Sequence, residues 1–271
     1  MIYDINGSEM TNKKSTAFDR FKSEIRYIRK RDSIADAVYT VVRVPKINSY
    51  GDIQHPFALW KNYPNGGIES TLEMNTSENY LVAINGGRFQ LPWGAGVTLT
   101  GLPCGTIIQN SVVLQQGSAQ NSNPEDYVLT IDDNGDIGYA NFTDSASALV
   151  ANGIVSAVTG FAPVLIDYEE FDADNDADSP RQILGQYDNG DYVIITTEGR
   201  DHQGGGYFTT AQIKRLCTEM GVKTAFQVDG GGSVETVIGK KQLNSFYDNT
   251  LGRKVPTYIV FNGSTVFGAP Q

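Results

Sequence analysis

The spacing of apolar residues changes several times along the chain, and each change marks an element. Phe18, Phe21, Ile25 and Ile28 recur three or four residues apart, with Arg20, Lys22, Arg26, Arg29, Lys30 and Arg31 between them. This spacing predicts an amphipathic helix over residues 16–30. Its apolar face serves either to pack on the domain or to join copies of the chain. From Ala37 the run is β-rich up to Pro45, which predicts a strand over 37–44. Strands are also predicted at 57–60, 80–84, 106–109, 112–115, 127–131, 136–139, 154–158, 163–166, 181–187, 192–197 and 257–261, with short pieces near Val237 and Leu243. Two of the connections, Asp133-Asn134-Gly135 and Asp188-Asn189-Gly190, carry the Asn-Gly signal of a tight hairpin. Helices are expected at 68–76 and 145–151, and from a Thr209 cap to Gly221. Many strands with a few short helices predict an α+β fold, a largely antiparallel or mixed β-sheet core with flanking helices. The expected division is a tail and amphipathic helix in residues 1–35 and one catalytic-type domain in residues 36–271.

One stretch breaks the strand pattern abruptly. Ala225-Phe226-Gln227-Val228 ends on Asp229, followed by Gly230, Gly231, Gly232 and Ser233 and then a β-branched run. Consecutive glycines weaken regular structure, so they belong where the backbone bends sharply or lets a ligand approach. Two readings stay open: a tight hairpin with an aspartate at its turn, or a carboxylate beside an anion-holding set of amides. Tyr80-Leu81-Val82-Ala83-Ile84 ends in the same manner, on Asn85-Gly86-Gly87.

Composition narrows the function classes. A formal charge of −10 over 271 residues argues against nucleic-acid partners and anionic membrane surfaces, and makes any anionic substrate dependent on local arginines. The two cysteines are too few for a disulfide framework or a zinc site. No basic-then-apolar leader opens the chain and no apolar run reaches spanning length, so the expectation is cytoplasmic synthesis without a signal peptide or membrane insertion, compatible with incorporation into a virion. In the acidic loop 167–179, Asp172, Asp174, Asp176 and Asp178 alternate as calcium ligands do. Ala177 and Ile183 stand where an EF-hand needs glycine and glutamate, which leaves an irregular calcium loop or a solvated acidic loop. No cofactor is otherwise called for.

Four stretches in order, Asn85-Gly86-Gly87-Arg88-Phe89, Pro180-Arg181-Gln182-Ile183-Leu184-Gly185, Glu198-Gly199-Arg200 and Val228-Asp229-Gly230-Gly231-Gly232-Ser233, resemble the motifs of the phosphodiester glycosidases over roughly residues 37–261. Arg88 stands where that family usually has an aromatic residue, and Glu198 where it has an aspartate. The resemblance implies hydrolysis of a sugar-1-phosphodiester or a related anionic glycan linkage. Asp229 is then the first-choice catalytic carboxylate and Glu198 the second. Arg181 and Arg200 would hold the phosphate, helped by the amides of Gly230, Gly231 and Gly232. Asn85, Gly86, Gly87 and Ser233 would contact the sugar or orient Asp229. The competing expectation is a phage tail or baseplate component that binds glycan without cleaving it and assembles through the N-terminal helix.

Overall fold

Local signals set the element boundaries. In the computed structural model, which describes residues 16–65, 69–90, 101–118, 125–173, 179–198, 207–244 and 252–263, three helices begin at a capping box, Thr16 with Asp19, Ser70 with Glu73 and Thr209 with Gln212. The elements run α1 (Ala17–Glu24), β1 (Arg26–Asp32), β2 (Ala37–Val44), β3 (Pro56–Trp60), α2 (Thr71–Glu78), β4 (Val82–Asn85), β5 (Ile107–Gln109), β6 (Val112–Gln115), β7 (Tyr127–Asp132) and β8 (Ile137–Asn141). Then follow α3 (Ala146–Ala151), β9 (Ile154–Gly160), β10 (Ala162–Ile166), β11 (Glu169–Glu170), β12 (Gln182–Gln186), β13 (Tyr192–Thr197), α4 (Thr210–Glu219), β14 (Thr224–Gln227), β15 (Thr236–Ile238), β16 (Lys241–Gln242) and β17 (Thr257–Phe261).

Among the described residues the strands form three antiparallel sheets. One has seven strands in the order β1-β2-β13-β12-β14-β10-β11; the others have five each, β16-β15-β4-β17-β3 and β6-β5-β9-β7-β8. Both Asn-Gly turns join hairpins, with Gly135 at φ 79° and Gly190 at φ 86°. Helix α4 lays Ile213, Leu216 and Cys217 on one face of the seven-stranded sheet, against Ile183, Ile195 and Ala225. The other face, through Val42, Leu184, Ile194 and Phe226, shares a core with Val82, Ile84 and Ile259 of the second sheet and Ile107, Leu129 and Val158 of the third. Each buried aliphatic chain contributes about 1.5–3 kcal/mol, and this central cluster clamps the three sheets together. The architecture is α+β, as the element pattern predicts.

The N-terminal helix is shorter than its spacing predicts. It ends at Glu24; Ile25 turns extended (φ −63°, ψ 133°), and residues 26–32 pair along β2 from Arg26↔Arg43 to Asp32↔Ala37. Ladder pairing outweighs the helical spacing once the first turns are complete. Phe21 and Ile25 enter the central core with Phe18 packed against it, so the helix covers its apolar face within its own chain. Ile28, the fourth member of the predicted stripe, is half exposed on β1.

The glycine stretch also differs from one of its two readings. β14 lies in the seven-stranded sheet and β15 in the second, and they do not pair. Residues 228–235 form a crossover between sheets, with a 3-10 turn at Gly231–Ser233, rather than a hairpin.

Candidate active site

Asp229 sits where the crossover leaves the seven-stranded sheet. Its N–H donates to the Gly86 carbonyl at 3.1 Å, and its carbonyl accepts from Asn85 Nδ2 at 2.8 Å. Asn85 Oδ1 accepts from the Glu235 N–H at 3.1 Å, and the Asn85 N–H donates to the Glu235 carbonyl at 3.2 Å. One fully buried amide side chain at the end of β4 thus ties both ends of the crossover. Gly87 is required by close approach: a Cβ there would lie 2.1 Å from the Thr159 carbonyl oxygen. Gly231 adopts φ 62°, the left-handed region that glycine tolerates best.

Asp229 is half-buried as a residue, with its carboxyl inside the protein. Burial pushes its carboxyl up to about 6, against the Ser233 hydroxyl, the Gly230 N–H and the positive charges of Arg253 and Arg88, all of which favour the ionised form. The Arg253 Nη1 donates to Ser233 Oγ at 3.4 Å, and Arg253 is exposed. Arg88 is held differently. Its Nη1 pairs with the buried Asp126, its guanidinium carbon lies 4.9 Å from the centre of the Phe161 ring, and its own N–H and carbonyl bond Thr159 and Cys104. Cys104 is half-buried beside the same charges, and burial pushes its thiol up to about 11, which keeps it a neutral thiol at ordinary pH.

Behind the crossover lies a second buried carboxylate. Glu235 accepts the N–H groups of Thr71 at 2.7 Å and Leu72 at 3.2 Å, at the N-terminus of α2, where the helix dipole favours negative charge. Burial nevertheless raises its carboxyl to about 7.

The structure gathers Asn85, Gly86, Gly87, Asp229, Gly230, Gly231, Gly232 and Ser233 around this crossover. Two of the three glycine amides are already engaged within the chain. The Gly231 N–H donates to the Pro180 carbonyl at 2.9 Å and the Gly230 N–H to the Asp229 carboxylate. Glu198 is elsewhere engaged: its carboxylate is 1% exposed and pairs with Arg29 of β1 at 2.5 Å. Arg181 is 1% exposed, with Nε donating to the Phe208 carbonyl at 3.2 Å and Nη1 to Gln227 Oε1 at 3.3 Å. Its guanidinium is built into the protein interior. Arg200, Asp174, Asp176 and Asp178 lie outside the described residues, while Asp172 is exposed. No group of three or more metal-ligating side chains occurs among the described residues. Sequence reasoning passed over Arg253, which lies in an irregular stretch without periodic signal. It noted Arg88 only as a departure from a motif.

Around this carboxylate the chain has the make-up of a hydrolase-type glycosidase fold, and comparison with known proteins places it. The chain belongs to the phosphodiester glycosidase family, whose model matches residues 78–262. Among solved structures, it is similar to the catalytic domain of zebrafish N-acetylglucosamine-1-phosphodiester alpha-N-acetylglucosaminidase, auto-inhibited by its pro-peptide, with a TM-score of 0.66 and 17% identity over 88% of this chain and 82% of that one. A hypothetical protein from Synechocystis superposes with a TM-score of 0.61 at 12% identity, over 88% of this chain and 62% of that one. At these identities the likeness shows the fold. A prophage-derived uncharacterized protein of Bacillus subtilis, YomE, is 35% identical over 88 residues, 32% of this chain and 14% of that protein's length.

Proposed function

We propose that this chain hydrolyses the glycosidic bond between a sugar and a phosphate or similar anionic group, with Asp229 as its carboxylate. The observation that carries this reading is a carboxylate fixed at a sheet crossover, hydrogen-bonded by Ser233 and influenced by two guanidiniums, in a chain of the phosphodiester glycosidase family. Hydrolysis of such a bond builds positive charge on the sugar, which an ionised carboxylate stabilises or traps. With its carboxyl near 6, Asp229 is mostly ionised at neutral pH. Negative charge gathers on the departing phosphate, and guanidinium groups stabilise it. Arg253, exposed and bonded among the described residues to Ser233 at 3.4 Å, lies where it would meet that group. Arg88, clamped by Asp126 and Phe161, supplies a fixed charge.

Ser233 and Asn85 keep the carboxylate in place, the first through its hydroxyl and the second through the Asp229 backbone. Phosphate is a fair leaving group, so the chemistry needs no strong general acid, in keeping with a chain that has two histidines. The test is turnover of a sugar-1-phosphodiester by the wild type and by Asp229→Asn, with folding checked by circular dichroism. Wild-type-like turnover in the variant rejects Asp229 as the catalytic carboxylate. A wild type that binds glycan phosphodiesters and cleaves none of them favours a purely binding role.

A further inference from the structure

We propose that Glu235 is a positioning residue of the Asp229 site, holding Asp229 and Arg253 in register with one another through two hydrogen-bonded routes. This rests on the glycosidase reading above and deepens it by naming the group that sets the spacing between carboxylate and guanidinium.

The first route leaves the Glu235 backbone. Its N–H donates to Asn85 Oδ1 at 3.1 Å, its carbonyl accepts the Asn85 N–H at 3.2 Å, and Asn85 Nδ2 donates to the Asp229 carbonyl at 2.8 Å. One buried side chain therefore separates the backbone of Glu235 from that of Asp229. The second route leaves the Glu235 carboxylate. Its two oxygens accept the Thr71 N–H at 2.7 Å and the Leu72 N–H at 3.2 Å, which fixes the first turn of α2. Just before that turn, the Glu69 carbonyl accepts the Val255 N–H at 2.9 Å and the Tyr258 hydroxyl at 2.9 Å. Val255 lies two residues after Arg253, whose guanidinium returns to the crossover. A Cβ on Gly232 would lie 2.6 Å from its Nη2, and its Nη1 donates to Ser233 Oγ at 3.4 Å. Glu235, 1% exposed, is where the two routes meet.

The residue type supports a role beyond packing. Burial opposes the Glu235 charge and pushes its carboxyl up to about 7. An apolar side chain of similar size would serve stability at least as well. Only an acceptor can grip the N–H groups of a helix end, and with them the segment that carries Arg253. The Arg253 charge in turn favours the ionised form of Asp229, so the Asp229 carboxyl senses the spacing that Glu235 sets.

The experiment is a carbon-13 NMR titration of the Asp229 carboxyl, assigned by its loss in Asp229→Asn. It compares Glu235→Met, which fills the space without accepting a hydrogen bond, with Glu235→Gln, which keeps one acceptor. Both variants remove the Glu235 charge, so a difference between them reports position. The Asp229 midpoint should lie at least about 0.5 pH higher in Glu235→Met than in Glu235→Gln, because the Arg253 charge is no longer held beside it. In an Arg253→Met background that difference should vanish. A midpoint no higher in Glu235→Met, or a difference that survives without the Arg253 guanidinium, overturns the proposal. Glu235→Ala replaces Glu235→Met if the latter does not fold. A residue serving stability alone would change the unfolding temperature and leave the midpoint in place. In turnover of a sugar-1-phosphodiester, kcat should fall about tenfold in Glu235→Met and stay within about threefold of wild type in Glu235→Gln. The titration needs no substrate, so a wild type without turnover rejects the glycosidase reading while the NMR result still decides the positioning.

Discussion

Asp229 and Glu198 are acidic residues that follow strands of the same sheet, β14 and β13, which are separated in that sheet only by β12. Glu198 is sealed at 1% exposure, with the Arg29 guanidinium 2.5 Å from its oxygen. Asp229 is half-buried as a residue, and the groups beside it are a hydroxyl, an amide and two guanidiniums, of which Arg88 is anchored on Asp126. A carboxylate closely paired inside the protein has its charge answered by the fold. One that is held but incompletely neutralised retains charge for a developing cation. Position at a strand end therefore does not by itself rank the two candidate carboxylates; the partner groups distinguish them.

The contrast breaks most sharply at Asp229 itself. Asp229→Asn should lower kcat by about 10³-fold or more, equivalent to about 4 kcal/mol of transition-state stabilisation, in steady-state assays on a sugar-1-phosphodiester. The next effect concerns stability. Glu235, raised from 4.5 to about 7 by burial, favours the folded state while protonated, and that contribution fades as pH rises through 7. Thermal unfolding of Glu235→Gln should therefore gain on the wild type between pH 5 and pH 8, by on the order of 2 kcal/mol. A smaller change should sharpen the division between the two guanidiniums. Removing the Arg88 charge makes the Asp229 carboxylate harder to form, so in Arg88→Met the acid limb of kcat/KM should move to higher pH by up to about one unit. Glu198→Gln should change turnover least, with kcat within about twofold of wild type, because its carboxylate is paired with Arg29 away from Asp229. A large kcat loss in that variant erases the contrast.

Much of the fold is legible in local signals. The two Asn-Gly turns, the Thr209 cap and the β-branched runs mark elements that the structure contains, because each depends on neighbours in sequence. The α1–β1 switch at Ile25 is not legible, since the apolar spacing of residues 18–28 suits a helix and only the β2 ladder makes a strand of its second half. The crossover at Asp229 is similarly hidden: Gly-Gly-Gly says that the chain bends, not which sheets it joins. The glycine motifs point to the stretch that forms the crossover, and their order carries the family. They also point to Arg181 and Glu198, whose burial depends on Phe208, Gln227 and Arg29, residues that sequence spacing does not bring together. Arg253 and the Asp126 anchor are contacts of the assembled chain, invisible to any motif.

The place where Asp229 lies has a consequence for how the proposed site forms. The carboxylate follows a strand of the seven-stranded sheet, the asparagine that steadies it ends a strand of the second sheet, and Asp126, which anchors Arg88, directly precedes β7 of the third. No single sheet carries the whole of this arrangement. During refolding, its assembly has to wait for the last of these distant pairings, however early individual hairpins form.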